Sequence, residues 1–598
     1  MIFSRRIGLL DDLAKAKLIS ETDVNVAEFF AGFEKDLTES EREIFAFAAA
    51  LLSMLTSANS ICLVENNADD FRAEAEKQLE RNASLPDWKQ ITEVLRRSYC
   101  CTENPDSDKK PLVFTGERLY FYKYWLYENS LAEELLKTAG KEGCFAEDAD
   151  EIAQSFRGLF GDNREQFEAA EKAVGKNFSV ITGGPGTGKT TTVAKLLAGI
   201  FSVKQDADII LAAPTGKAAS RMTEALKNAV ERDDFKTVDS TVRDRILSLE
   251  GQTIHRVLGW KFGEFTMNRL NPLSADLIIV DEASMVDIAL FYAMTEALGR
   301  RTSLILLGDK DQLASVGVGN VLSDICSNSD LLPEGTVSEL KTSHRFSEDS
   351  GIRKLAEAVN GEKNTADDII NICMEARDLD FKEREAAKEK QSRAAAAAKL
   401  AKAAAKIAES IKEKYAFLSE PSLSPDEILK RLNDFKVLCP SKEDSYGVEK
   451  LNKAIEKALG KDGEGAFYSG RPVMVTNNNY SLKLFNGDCG VILGKTAYFR
   501  INNVLESFQV SVLPPVETVY AMTVHKSQGS EYRSVLIVMP ETEMPILTKE
   551  LLYTAITRAK ESVTIVADKT ILEYTMKNRA SRNSGFRDAL IKAKEKNE

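Results

Sequence analysis

The feature that most constrains the fold is a glycine-rich segment that fits the pattern GxxxxGK[ST]. Its residues are Gly183, Gly184, Pro185, Gly186, Thr187, Gly188, Lys189 and Thr190. The segment follows the apolar run FSVIT and leads into the helix-forming run KTTTVAKLLAGIF. A strand, a glycine-rich turn and a helix in this order direct backbone N–H groups at phosphate oxygens. Lys189 is expected to reach the β- and γ-phosphates of ATP, and Thr190 to coordinate Mg²⁺.

An acidic pair predicts the second half of the same site. The apolar run Leu277-Ile278-Ile279-Val280 ends in Asp281 and Glu282. Asp281 is expected to hold Mg²⁺ and Glu282 to polarise the attacking water. The two motifs together predict a nucleoside triphosphatase, but they do not say what the hydrolysis drives.

Seven apolar strand candidates alternate with helical patterns, which is typical of parallel α/β sheets. They are FSVIT, DIILAA, DLIIVD, TSLILLG, KVLCP, SVLIVM and SVTIVA. Because they fall into two groups on either side of residue 340, two nucleotide-binding lobes are expected. Residues 1 to about 150 are expected to be mainly helical. The Ala/Lys-rich residues 382–414 predict a long helix, and the turn-rich residues 470–514 predict a small β-barrel insertion.

Composition excludes some classes of protein and leaves others open. The 598 residues are too many for one hydrophobic core. The net charge of −13 counts mildly against a nucleic-acid binder, although a local basic groove is enough for binding. Eight cysteines without a CxxC pair give no support for a zinc or iron–sulfur site. Free cysteine thiols are typical of proteins in the reducing cytoplasm. No run reaches the ~20 apolar residues of a membrane span, so a cytoplasmic protein is expected.

Further motifs follow in an order that resembles the superfamily 1 DNA helicases. The resemblance implies that Gln166 reads the adenine edge and that Gln312, in GDKDQL, senses the γ-phosphate. It also implies that Arg345 and Arg558, from the second lobe, stabilise the transition state. The same resemblance implies that Thr191 and Glu531 contact the nucleotide.

The same resemblance implies a path for single-stranded DNA. The motifs that carry it are APTGKA, TIHR and TVHKSQGSE. They contain hydroxyl, Lys and His side chains. Such groups suit contacts to phosphate and sugar rather than to bases. The implied DNA-contacting residues are Pro214, Thr215, Lys217, Thr253, His255, Thr523, His525 and Lys526.

Within the superfamily, the sequence is most similar to the RecD-like branch, which moves 5′ to 3′. The run Trp260-Lys261-Phe262-Gly263-Glu264-Phe265 resembles the branch's strand-splitting hairpin, called the pin. The run Phe485-Asn486-Gly487-Asp488 resembles part of its SH3-like insertion. The implied fold is α/β, with two RecA-like P-loop NTPase lobes, a helical N-terminal domain and a small SH3-like β-barrel.

The resemblance also implies a division of the chain and a role. The expected parts are a RecC-binding-like N-terminal domain (1–150), a first lobe with P-loop and pin (151–340), a second lobe in two parts (341–468 and 515–575), an SH3-like insertion (469–514) and a basic tail (576–598). The implied role is the ATP-dependent 5′-to-3′ motor of a bacterial RecBCD-type helicase–nuclease. It would act with RecB-like and RecC-like subunits on DNA ends during double-strand break repair. A stand-alone RecD-like helicase and a regulatory ATPase without unwinding activity are the alternatives.

Overall fold

The apolar runs predicted to be strands are aligned in two parallel sheets. A computed structural model of the chain describes residues 7–79, 85–347, 349–384, 393–444, 446–501, 504–580 and 582–597. All seven predicted strands are present, and the α/β class with two RecA-like lobes is confirmed. Among these described residues, no helix is both long enough and apolar enough to cross a membrane.

The N-terminal region is mainly helical, as expected, and also contains a small mixed sheet. Its helices are α1 (Gly8–Lys15), α2 (Glu21–Ala31), α3 (Glu39–Ser57), α4 (Glu65–Gln78), α5 (Trp88–Leu95) and α6 (Tyr122–Ala139). Its strands are β1 (Cys62–Val64), β2 (Cys101–Thr102), β3 (Leu112–Phe114) and β4 (Arg118–Phe121), in the order β1-β4-β3-β2. The apolar run that begins near Ile44 forms the buried centre of α3.

The first lobe is a six-stranded parallel sheet with helices on its faces. Its strands are β5 (Phe178–Gly183), β6 (Ile209–Ala213), β7 (Gly251–Thr253), β10 (Leu277–Val280), β11 (Ser303–Gly308) and β12 (Val337–Leu340); β8 (Trp260–Lys261) and β9 (Glu264–Phe265) form the separate pin hairpin. The sheet order is β12-β5-β11-β10-β6-β7. The helices are α7 (Ala149–Phe160), α8 (Arg164–Val174), α9 (Lys189–Val203), α10 (Gly216–Val230), α11 (Ser240–Leu247), α12 (Ile254–Val257), α13 (Ile288–Glu296) and α14 (Val321–Ser327). Because the strands are parallel, their carboxyl ends meet at one edge, where ligands bind in such sheets.

The second lobe contains a five-stranded parallel sheet in the order β13-β22-β21-β14-β20. Its strands are β13 (Leu379–Glu383), β14 (Phe435–Cys439), β20 (Ala521–Thr523), β21 (Tyr532–Val538) and β22 (Ala559–Ala567). Its helices are α15 (Gly351–Asn360), α16 (Ala366–Glu375), α17 (Arg393–Tyr415), α18 (Pro425–Leu432), α19 (Val448–Ala458), α20 (Lys549–Ile556) and α21 (Lys569–Lys577). Helix α22 (Phe586–Asn597) follows and packs against α6 of the N-terminal region.

The Ala/Lys-rich segment forms the predicted long helix as α17, although residues 385–392 lie outside the described part of the chain. Its C-terminal half is not a purely solvated surface. Ala404, Ala408 and Ile411 are buried in a core shared with α19. The Tyr415 hydroxyl donates to the carbonyl of Tyr520 at 2.8 Å. One face of the helix is therefore part of the second lobe's core.

The insertion between β14 and β20 is an antiparallel sheet of five strands in the order β18-β17-β16-β15-β19. The strands are β15 (Arg471–Val475), β16 (Cys489–Leu493), β17 (Thr496–Ile501), β18 (Val504–Gln509) and β19 (Val516–Thr518). In the described residues, β18 and β19 are the two edges and do not pair with each other. The SH3-like barrel stays a prediction. A loop of this insertion reaches the first lobe, because a Cβ on Gly216 would lie 2.7 Å from the Phe485 ring.

Candidate nucleotide site and DNA-facing loops

The glycine-rich segment lies at the carboxyl end of β5, a strand inside the first sheet. Gly186 and Gly188 have φ of 79° and 84°, the left-handed region that favours glycine. A Cβ on Gly186 would lie 2.3 Å from the Cβ of Arg345, and one on Gly188 would lie 2.2 Å from Nε2 of Gln166. Both glycines are therefore required by conformation and by space. The Lys189 amine donates to the carbonyls of Gly183, at 2.5 Å, and Gly184, at 3.1 Å.

The acidic pair follows β10, two strands away in the same sheet. Burial, and then the neighbouring charge of Glu282, raises the pKa of Asp281 to about 6. The backbone N–H of Glu282 donates to Oδ1 of Asp281 at 2.8 Å and opposes this shift. Glu282 itself has φ of 52°. Left-handed backbone at a non-glycine residue is strained, and such strain is concentrated at functional sites.

Gln166 contacts the glycine-rich segment from helix α8. Its side chain is buried, and its Nε2 donates to the carbonyl of Thr187 at 2.9 Å. Asn163 caps the start of this helix through a hydrogen bond from the backbone N–H of Gln166. Gln166 therefore lies at the nucleotide loop, as the sequence predicted. The adenine contact itself remains a prediction.

Arg345 approaches the glycine-rich loop from the segment that joins the two lobes. The backbone N–H of His344 donates to the carbonyl of Gly186 at 2.8 Å. The Arg345 guanidinium pairs with Glu531, which also pairs with Lys560 at 3.2 Å. Burial alone would raise the pKa of Glu531, but the charges of Arg345 and Lys560 outweigh it and lower that pKa to about 2. Glu531 is thus an ionised counter-charge for two cations.

Arg558 reaches across the cleft between the lobes. Its Nη2 donates to Oε1 of Gln312 at 2.9 Å. Nε2 of Gln312 donates to Asp309 at 2.9 Å, and the hydroxyl of Tyr553 donates to the same carboxylate oxygen at 3.1 Å. The sequence singled out Gln312 and Arg558 but missed Asp309 and Tyr553. Tyr553 lies on α20, five residues before Arg558 in the chain, and this closeness in sequence was the available signal.

A cavity of about 750 Å³ lies between the lobes and is lined by candidate catalytic groups of both lobes. Thr190, Asp281 and Glu282 line it from the first lobe, and Glu531 and Arg558 line it from the second. Thr190 and Arg558, which are more than 350 positions apart in the chain, thus face one space together with the carboxylates of Asp281, Glu282 and Glu531. The arrangement can hold a triphosphate between charged groups that belong to separate bodies.

The candidate DNA residues have more varied environments. Three of the threonines accept hydrogen bonds from nearby backbone N–H groups; these are Thr215 (from Ala218), Thr253 (from Arg256) and Thr523 (from Lys526). Pro214 is half-buried beside them. Lys217 lines the cleft near Asp488. The Lys526 amine pairs with Glu517. The Lys526 amine is thus engaged inside the protein, and the DNA contacts of both lysines remain predictions.

The two histidines of the predicted DNA path are placed differently. The His255 ring lies 5.9 Å from Trp260 and 5.8 Å from Phe265, so it packs against the base of the pin. His525 is partly buried in a short turn after β20. Burial, and then the charge of Arg582, lowers the pKa of His525.

The pin is a two-stranded hairpin with an exposed apolar tip. Phe262 and Gly263, its central residues, have φ of 51° and 90°, the pattern of a tight hairpin turn. The Phe262 side chain is fully exposed. Trp260 is about half exposed and packs 4.6 Å from Phe265. A rigid base thus presents one aromatic side chain to solvent.

The fold and the site define a two-lobed P-loop NTPase with a helicase-type second lobe. Residues 166–318 match the family profile described as an AAA domain, and residues 518–566 match the UvrD-like helicase C-terminal domain. Residues 15–120 match the N-terminal domain of the RecBCD enzyme subunit RecD.

Relatives extend this match over nearly the whole chain. RecBCD enzyme subunit RecD of Mycolicibacterium smegmatis is 32% identical, over 96% of this chain and 98% of that protein. The Haemophilus influenzae subunit is 30% identical, over 97% of this chain and 99% of that protein. The chain belongs to the RecD family, which confirms the resemblance seen in its motifs.

Two more distant similarities complete the comparison. The ATP-dependent RecD2 DNA helicase of Deinococcus radiodurans is 29% identical, over 75% of this chain but 55% of that protein. Among solved structures, a Pif1 helicase studied on forked double-stranded DNA covers 68% of this chain and 93% of its own, at 19% identity and a TM-score of 0.38.

Proposed function

We propose that this chain is the ATP-dependent 5′-to-3′ DNA helicase motor of a RecBCD-type helicase–nuclease. The observation that carries the proposal is one hydrogen-bond network that joins the nucleotide cleft to the predicted DNA loops. Arg558 and Gln312 belong to the cleft. The next residue, Leu313, accepts from Gln528 of the TVHKSQGSE loop at 3.0 Å. The backbone N–H of Leu313 donates to the hydroxyl of Thr554 at 2.9 Å. A change at the γ-phosphate can therefore be transmitted to a DNA-facing loop.

The residues at the cleft fit ATP with Mg²⁺. Magnesium prefers oxygen ligands and is usually held by one or two carboxylates together with substrate phosphates. Thr190 and Asp281 provide a hydroxyl and a carboxylate that face the same cavity, and we assign the metal to them. When bound, the metal neutralises charge that develops on the phosphate oxygens.

The remaining roles follow from the position of each group. Glu282 accepts a proton from the attacking water, and Lys189 holds the β- and γ-phosphates. Arg345 and Arg558 approach from the second lobe and stabilise charge on the transferred phosphoryl group. In the structure, Arg345 is paired with Glu531. We propose that ATP competes with Glu531 for this guanidinium, so that nucleotide binding rearranges the interface between lobes. Gln166, Thr187 and Thr191 complete the nucleotide contacts.

The family match supports a subunit rather than a stand-alone enzyme. Identity to RecD subunits extends over nearly the whole chain, and residues 15–120 match the N-terminal domain of RecD. The N-terminal region also exposes three large apolar side chains, Phe29, Phe33 and Tyr99, which suit a partner-facing surface. We propose RecB-like and RecC-like subunits as partners, DNA ends as substrate and the cytoplasm as location. The six-part division of the chain given by the sequence is kept as part of this proposal, except that the insertion extends to Thr518, because β19 pairs with β15.

ATP hydrolysis by the chain, alone and mixed with its RecB-like and RecC-like subunits, tests the proposal. Single-stranded DNA is expected to stimulate hydrolysis, and Lys189→Gln is expected to abolish it. Lys172→Gln, an exposed lysine on α8, serves as the matched control and should behave as wild type. DNA-independent hydrolysis in every mixture would instead favour a regulatory ATPase.

A further inference from the structure

The chain crosses back from the second lobe to the first near its C-terminus, in a segment to which the sequence assigned no role. Up to Ala580 it is bound to the second lobe. The carbonyl of Asn578 accepts from the N–H of Lys549 at 3.0 Å, and the N–H of Ala580 donates to Glu550 at 3.0 Å. From Arg582 onward it is bound to the first lobe and the N-terminal region. Ser581 lies outside the described residues.

Arg582 binds the loop that follows Gln312. Its Nη1 donates to the carbonyls of Gly319, at 2.6 Å, and Gly317, at 3.0 Å, and to the hydroxyl of Ser315 at 3.2 Å. Its Nη2 donates to the carbonyl of Ser315. An irregular loop has backbone carbonyls that no regular structure satisfies. A guanidinium supplies several donors in a fixed plane, so one side chain fixes this loop at several points.

The residues after Arg582 attach the segment firmly. The carbonyl of Asn583 accepts from the N–H of Ile61 at 2.9 Å. The N–H of Gly585 donates to both carboxylate oxygens of buried Glu128, at 3.0 and 3.1 Å. A Cβ on Gly585 would lie 2.1 Å from the hydroxyl of Tyr120, so only glycine fits. Phe586 and the apolar face of α22 are buried in the core shared by α6 and the first lobe. This anchoring means that Arg582 moves with the first lobe.

The loop after Gln312 is therefore held from two sides. Leu313 is bound by Thr554 and Gln528 of the second lobe. Only two residues later, the segment 315–319 is bound by Arg582. Opening or closing of the cleft must strain the residues between these two anchors, because their ends belong to different bodies.

We propose that Arg582 is a positioning residue that anchors the 315–319 loop to the first lobe. The inference rests on the proposed helicase function. Cleft closure moves Arg558 relative to Gln312 while the far end of the loop stays fixed by Arg582. That displacement is passed to the loop carrying Gln528. Without Arg582, the far end of the loop is free to follow the second lobe, and hydrolysis is coupled more weakly to DNA.

The test compares Arg582→Ala and Arg582→Lys with wild type in the assembled complex. ATP hydrolysis is measured with and without single-stranded DNA, together with the KM for ATP, base pairs opened per ATP and thermal stability. Arg582→Ala is expected to keep the DNA-free rate and the KM, while stimulation by DNA falls about tenfold, within the usual range of coupling between sites. Arg582→Lys should restore part of the stimulation. The matched control is Arg587→Ala, which removes an exposed arginine of the same segment that pairs with Asp330. It should behave as wild type.

Two results would overturn the inference. One is wild-type stimulation and wild-type base pairs per ATP in Arg582→Ala. The other is an equal loss of the DNA-free and DNA-stimulated rates together with a lowered Tm, which marks a structural role alone. An absence of DNA stimulation in the wild-type complex would overturn the proposed function itself, so the two failures are distinguishable.

Discussion

The Nη2 atom of Arg558 lies 2.9 Å from Oε1 of Gln312, and this hydrogen bond joins the two lobes at the edge of the nucleotide cleft. Both partners are buried, so the bond is protected from water. Gln312 is positioned in turn by Asp309, which also accepts from Tyr553 of the second lobe. Because the network has members in both lobes, it is sensitive to the distance between them.

Replacing Arg558 by lysine should slow hydrolysis more than it weakens ATP binding. Lysine keeps the charge but loses the planar set of donors that can contact Gln312 and a phosphoryl group together. Loss of one transition-state donor typically costs about 10²–10³-fold in kcat. Steady-state kinetics should show a fall of that size in kcat with KM changed by a smaller factor. Arg353→Lys, which alters a half-exposed arginine on α15 paired with Glu357, should leave both constants unchanged. A rise in KM at normal kcat in Arg558→Lys would contradict the assigned role.

Gln166→Ala should weaken ATP binding and reduce the preference for adenine. The substitution removes the donor to the Thr187 carbonyl and any contact with the base. Leaving a buried group without its partner typically costs 1–3 kcal/mol, which corresponds to an increase in KM of about 5–150-fold. KM should be measured for ATP and for GTP. An unchanged ratio of the two KM values would show that Gln166 supports the loop but does not recognise the base.

Phe262→Ala should separate strand opening from movement along DNA. The side chain is fully exposed at the tip of the pin, so its removal leaves the core intact. Opening of a duplex is expected to be lost while DNA-stimulated hydrolysis stays at the wild-type rate. Met374→Ala, an exposed apolar residue of the second lobe, is the control. Normal duplex opening by Phe262→Ala would show that the tip does not split the strands.

Glu128 should make stability depend on pH. Burial raises the pKa of Glu128 from 4.5 to about 7, so the folded protein binds this proton more tightly than the unfolded chain. The free energy of unfolding therefore falls as pH rises from about 4.5 to about 7 and is level above that. The fall due to this group is at most about 3 kcal/mol. Nearby Asp324, whose pKa burial also raises to about 7, adds a fall of the same sign.

Urea denaturation at pH 5 and pH 8 measures this effect. Glu128→Gln should reduce the difference in unfolding free energy between the two pH values. Glu117→Gln, which alters an exposed carboxylate beside Arg118, should leave the difference as it is in wild type. If Glu128→Gln showed the full wild-type difference, Glu128 would not be its source.

The sequence predicted the elements whose local pattern is strong. The seven apolar strands, the glycine-rich turn and the pin were all identifiable, because burial or turn geometry dictates their residue types. Four strands of the two parallel sheets were missed: β7, β12 and β13, which carry polar residues, as in VSEL and LDFKE, and β20, which has only three residues. All four are edge strands, β7 and β12 of the first sheet and β13 and β20 of the second. Edge strands need no continuous apolar run.

Contacts between distant parts of the chain were not predictable in the same way. Arg582 has no local pattern that marks it. Asp309 and Tyr553 lie close in the chain to Gln312 and Arg558, but the sequence does not reveal their contact with each other, because it is set by the packing of the lobes. Lys526 illustrates the opposite case: its motif was recognised, but its pairing with Glu517 of the insertion depends on tertiary structure. The fold class and the nucleotide loop were therefore predicted, and the hydrogen bonds and ion pairs between the lobes were not.

The most direct test of the central claim is strand opening on DNA duplexes that carry either a 5′ or a 3′ single-stranded tail. The wild-type chain, alone and in its complex, is compared with Lys189→Gln. We predict that the wild-type chain opens the 5′-tailed duplex in an ATP-dependent manner and that Lys189→Gln abolishes this opening. In the complex, Lys189→Gln should abolish only the share of opening that starts from the 5′-ended strand. Opening by the chain alone from the 3′ tail only would contradict the assigned direction of movement.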